Sequence, residues 1–112
     1  MNQQLYQYLL GIAANGLYTR YSDAGLIVHL DMNEPADRDE ISRLLDEISV
    51  HEHCAGHPLL SAVVIHTKDN MPGNGFFTMA QRVGRFNGGD RLHFWLNELK
   101  NVHSHWANQA NE

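Results

Sequence analysis

Four side chains with the chemistry of metal ligands or nucleophiles crowd into one stretch: His51, His53, Cys54 and His57 in His-Glu-His-Cys-Ala-Gly-His. Imidazole and thiolate are good zinc ligands. Their spacing is poor for a site. A helix brings residues three or four apart onto one face, so His53 and His57 share a face only if the helix persists through Gly56. His51 and Cys54 form a separate pair. No second Cys/His pair at finger-like spacing follows, and the metalloprotease pattern His-Glu-x-x-His is absent. His103 and His105 lie two apart, about 200° around a helix. These residues define a metal-dependent or nucleophilic enzyme as one alternative, and no cofactor is expected. Ser61 sits inside Leu-Leu-Ser-Ala-Val rather than in a Gly-x-Ser-x-Gly elbow, which reads as a buried spacer.

Two further patterns bear on anions. Gly73-Asn-Gly75 ahead of a helix can bind an anion through free backbone amides, although a tight turn set by Pro72 and two glycines explains the same residues. Neither a P-loop nor a dinucleotide fingerprint is present. Arg82, Arg85 and Arg91 around Gly84 and Gly88-Gly89 are the one basic concentration, able to meet phosphates or simply to keep a loop solvated.

The elements that position these groups come from a chain of 112 residues, the length of one domain spanning 1–112. It is 43% hydrophobic and 19% charged, the composition of a globular protein. No apolar stretch approaches the roughly 20 residues of a membrane span. A lone cysteine and the lack of a signal-like start point to a reducing compartment, the cytoplasm. The net charge of −5 is uneven: residues 1–57 carry nine acids against three bases, and residues 58–112 four against five. The acidic half disfavours nucleic acid, whose phosphates need Lys and Arg, and suits a basic protein partner.

Hydrophobic periodicity predicts a helix over 3–14 with Leu5, Leu9, Ile12 and Ala13 inward, stopped at Asn15-Gly16. Thr19 is expected to cap a second helix of about ten residues, with Leu26-Ile-Val28 as an alternative short strand. Pro35 starts the clearest helix, through Cys54, with Ile41, Leu44, Leu45 and Ile48 buried. Leu60–His66 reads as a buried strand. A short helix is expected over 75–83, and Asp90 is a natural cap for a last helix over 91–107, whose stripe is Leu92, Trp95, Leu96, Leu99, Val102 and Trp106. Residues 108–112 are expected to fray. Tyr6, Tyr8, Tyr18 and Tyr21, if exposed, would serve as interface anchors. The expected fold class is α+β, mostly α: about five helices with a short β-hairpin or a two-to-three-stranded sheet.

The order of elements resembles the winged-helix DNA-binding domain of the alkylguanine alkyltransferases and alkyltransferase-like proteins. Thr19-Arg-Tyr-Ser-Asp-Ala24 is similar to that family's first short helix. Arg43 in Ile-Ser-Arg-Leu-Leu lies where its helix arginine would. Pro58-Leu-Leu-Ser-Ala-Val-Val64 takes the place of the active-site strand, and Gly73-Asn-Gly-Phe76 that of the wing. The alkyl-accepting cysteine would fall near Leu59 and the His-Arg after it is replaced, so alkyl transfer does not carry over. The resemblance implies a winged-helix-like topology and a DNA contact through Arg43, Lys68, Arg82 and Arg85.

Charge and the lack of a catalytic constellation lead to a different first expectation: a small non-enzymatic binding module, of inhibitor, immunity or regulatory type. Its partner would be a basic protein held on the acidic helix through Asp37, Asp39, Glu40, Asp46, Glu47 and Glu52.

Overall fold

The computed structural model describes residues 1–110, with side chains through residue 107. Helix α1 (Gln3–Ala14) starts where the Asn2 side chain accepts the Leu5 N–H at 2.9 Å, filling one of the donors a helix start leaves open. Leu5, Leu9 and Ala13 are fully buried. Gly16, at φ +68°, lets the Leu17 N–H return to the Ile12 carbonyl and close the helix.

Thr19 does not cap a helix. Thr19–Arg20 forms β1, which pairs in parallel with β2 (Val64–Ile65) in the register Thr19↔Val64 and Arg20↔Ile65. The Thr19 hydroxyl is held by the Tyr8 hydroxyl at 2.7 Å. Helix α2 (Tyr21–Ile27) therefore begins two residues later, without a side-chain cap. Leu26-Ile-Val28 is not a strand.

Helix α3 (Pro35–Cys54) matches its expected bounds, with proline in the first turn and Ile41, Leu44, Leu45 and Ile48 buried. Gly56 at φ +81° turns the chain so that the His57 N–H reaches the Glu52 carbonyl. The strand expected over Leu60–His66 is shorter than its apolar run. Leu60–Val63 is a 3₁₀ turn, and only Val64–Ile65 pairs as strand. Side chains take the hydrogen bonds that a ladder would have used. The Ser61 N–H donates to Ser49 Oγ at 2.9 Å, and the Ala62 carbonyl accepts the Trp95 indole N–H at 2.8 Å. Backbone groups in such a buried place must be paired, and these two find side chains.

The glycine turn opens helix α4 (Asn74–Arg82), which buries Phe76, Phe77, Met79 and Ala80. The described residues thus hold two parallel strands and no hairpin wing. Helix α5 (Arg91–Ala110) starts at Asp90, whose carboxylate accepts the His93 N–H at 3.1 Å. It runs past its expected end; residues 111–112 of the expected tail lie outside the described residues. Its inward stripe also differs. Trp95, Glu98 and Val102 are buried, while Leu92 and Leu96 are half-exposed. The stripe turns because Glu98 is needed inside: one carboxylate oxygen accepts the Leu59 N–H at 3.0 Å and the other pairs with Arg85 at 2.9 Å.

The result is a mostly helical α+β domain of five helices around a small parallel sheet. The 3₁₀ turn sits at its centre, touching α1, α3 and α5, and α1 packs on α5. No helix among the described residues is long and apolar enough to cross a membrane.

Candidate ligand-binding cleft

Beyond Arg20 and Ile65 the two strands end together, and the next residues, Tyr21 and His66, stand side by side. Their rings stack at 4.3 Å between centroids and 27° between planes. The Tyr21 hydroxyl accepts the Gly73 N–H at 2.9 Å, so one side chain fixes both the imidazole and the start of α4. Burial raises the Tyr21 phenol above its usual range, keeping it protonated. Gly73 lets the chain pass close here: a Cβ would stand 2.8 Å from His66 Nε2 and 3.4 Å from the Tyr21 hydroxyl, and the imidazole would have to shift.

This junction forms one side of a cleft of about 520 Å³, within the range of roughly 300–1,000 Å³ of small-molecule sites. Its opposite side is the first half of α3, which contributes Arg38, Asp39, Ile41 and Ser42; Met32 precedes it, and Lys68 follows β2. Arg38, Asp39 and Lys68 form no ion pair with one another or with other described side chains. The Asn74 and Gly75 N–H groups, at the unpaired end of α4, have no acceptor among the described residues. Two helices begin at the cleft, α2 at Tyr21 and α4 at Asn74. The cleft also lies off the carboxyl ends of parallel strands, where open α/β structures place their ligands.

The acidic helix face offers fewer free carboxylates than its sequence suggests. Glu52 is fully buried and is not available to a partner. Glu40 pairs with Arg43 at 2.6 Å, Glu47 with the Met1 amino group at 3.3 Å, and Asp37 accepts the Asp31 N–H at 2.9 Å. Asp46 is half-buried, which raises its carboxyl pKa against the opposing pull of Arg82. Asp39 is exposed, and it faces the cleft. Among the arginines expected on DNA, Arg43 and Arg85 are engaged by Glu40 and Glu98. Lys68 lies in the cleft and Arg82 is exposed.

The histidine stretch is dispersed. His57 Nδ1 contacts the Glu52 carboxylate at 2.6 Å, His51 meets the edge of the Tyr6 ring, and Cys54 is exposed. No three His, Cys, Asp or Glu side chains among the described residues are placed to hold a metal ion. Ser61 is buried against Ser49. Of the tyrosines expected at an interface, Tyr18 is exposed, whereas Tyr6, Tyr8 and Tyr21 spend their hydroxyls on Glu52, Thr19 and Gly73.

Tyr6 shows the cost of that arrangement at high pH. Burial, and then its hydrogen bond to the Glu52 carboxylate, push its phenol from 10.0 to about 12. A folded-state pKa above the unfolded one stabilises the fold fully below the unfolded value. That stability is lost as pH rises from about 10 through about 12. Chemical denaturation at stepped pH should show this decline, and Tyr6→Phe should flatten it. An equal decline in Tyr6→Phe would assign it to other groups.

Sequence reasoning singled out Gly73-Asn-Gly75 as an anion candidate, but it passed over Arg38, Ser42 and His66. Nothing in a linear pattern announces that two-residue strands far apart in the chain pair in parallel and bring Tyr21 to His66. Compared with known proteins, the chain matches no family model, no curated sequence and no solved structure, so its resemblance to alkyltransferase domains rests on the residues quoted above.

Proposed function

We propose that the protein is a small binding module whose ligand enters the cleft between α3 and the α4 start with an anionic group foremost. The observation that carries this reading is the meeting of Arg38, Lys68 and the unpaired Asn74 and Gly75 amides in one cleft of a chain whose net charge is −5. Cations left without intramolecular partners beside a helix start favour a carboxylate or phosphate. The reading keeps the class expected from the sequence, a module that binds rather than catalyses. It moves the contact from the acidic face of α3 to the cleft, because most of those acids are engaged within the chain.

Calorimetric titration with inorganic pyrophosphate at low ionic strength tests it. One-to-one saturable binding is expected, screened by added salt. Arg38→Ala/Lys68→Ala should weaken it about tenfold, equivalent to about 1.4 kcal/mol. Absence of saturable binding, or equal affinity in the double variant, would overturn the reading.

A further inference from the structure

We infer that the ligand of this cleft carries its anionic group on a planar ring through a hydroxylated linker, the chemical class of a nucleoside monophosphate. The inference rests on the cleft reading above and concerns what fills the rest of the space. A bare anion would use Arg38, Lys68 and the amides of Asn74 and Gly75, and would leave three features without a role.

The first is His66. Its side chain is exposed, and its imidazole is backed at 4.3 Å by Tyr21, itself pinned through the Gly73 N–H. An exposed aromatic ring covered on one face and held in place is a stacking ledge. It loses little freedom when a second ring settles on it. Base–aromatic stacking of this kind is worth about 1–3 kcal/mol.

The second is Asp39, a free carboxylate in a cleft whose other charged side chains are Arg38 and Lys68. It repels a bare anion. It accepts hydrogen bonds from neutral donors, and paired sugar hydroxyls meet a carboxylate in this way in nucleotide sites. Arg38 and Lys68 against Asp39 still leave the cleft with a surplus of positive charge for the anionic group. The third is the apolar lining from Ile41 and Met32, buried and half-buried. It has nothing to offer an ion and suits the edge of a ring. The volume of about 520 Å³ accommodates all three parts together.

The test titrates the intact protein with the four common nucleoside monophosphates, ribose 5-phosphate, adenosine and pyrophosphate under one buffer condition. At least one nucleoside monophosphate should bind about tenfold more tightly than ribose 5-phosphate, the increment of one stacked ring. His66→Ala should bring the ratio of nucleotide to ribose 5-phosphate affinity down to about one, with an unaltered circular dichroism spectrum as the folding control. If ribose 5-phosphate equals every nucleotide, the ring inference falls and the anion reading stands. If adenosine binds as tightly as its monophosphate, or no phosphate-bearing probe binds, the anion reading falls and takes the inference with it.

Discussion

Glu52→Ala is expected to destabilise the fold by about 3 kcal/mol, the lower end for removing one partner of a buried charged network. Glu52 is fully buried, and its carboxylate oxygens contact Tyr6 Oη at 2.5 Å and His57 Nδ1 at 2.6 Å. It therefore ties α1 to the end of α3 and to the turn that follows. Hydrogen bonds to an ionised acceptor are roughly twice as strong as neutral ones. The cost stays near the lower end because Tyr6 and His57 are partly exposed and regain water when the carboxylate goes. Glu52→Gln keeps an acceptor for Tyr6 and the shape of the side chain, so about half the loss is expected, roughly 1.5 kcal/mol. Urea denaturation of the three proteins measures both values. A loss below about 1 kcal/mol in Glu52→Ala, within the range of an ordinary neutral hydrogen bond, would mean that this network contributes no more than its packing.

Phe77→Ala should cost more, about 3–5 kcal/mol for a buried phenylalanine. Its ring is 2% exposed, lies 5.2 Å from Phe76 and 5.7 Å from Phe86, and carries the Arg91 guanidinium over its face at 4.8 Å. Set against a typical domain stability of roughly 5–15 kcal/mol, that loss leaves α4 weakly held. Amide exchange should then accelerate along α4 before it does along α1. Because Asn74 and Gly75 belong to the same helix, pyrophosphate binding should weaken alongside. Phe77→Leu, a smaller change of volume, should cost under about 2 kcal/mol and retain binding. Binding that survives Phe77→Ala undiminished would show that the α4 start does not hold the ligand.

The contrast between α3 and the segment after it shows what the sequence could disclose. Proline in the first turn, an apolar stripe at helical spacing and Gly56 are local signals, and each acts within a few residues, so the bounds of α3 were legible. Leu60–Ile65 is apolar except for Ser61, and a run without periodicity does not distinguish a strand from any other buried backbone. Its conformation depends on Ser49 and Trp95, which come from distant helices. The stripe expected for α5 omits Glu98 for a related reason. A carboxylate on an amphipathic helix reads as outward, unless Arg85 and the Leu59 N–H are known to meet it. At the cleft, the glycines were visible as residue types, whereas Tyr21 beside His66 exists only once β1 and β2 pair.

The packing of α1 on α5 has a consequence for how the chain is made. Ribosomal synthesis delivers α1 first and its packing partner last, with α2, α3 and α4 between them. Until α5 emerges, α1 has only α2 and the 3₁₀ turn to pack on extensively. β1 likewise waits for β2 before its edge is covered. Nascent chains stalled before residue 91 would therefore leave the α5-facing side of α1 open to chaperones and proteases. A stalled-chain proteolysis series should show protection arriving in one late step, when α5 clears the exit tunnel, rather than growing helix by helix.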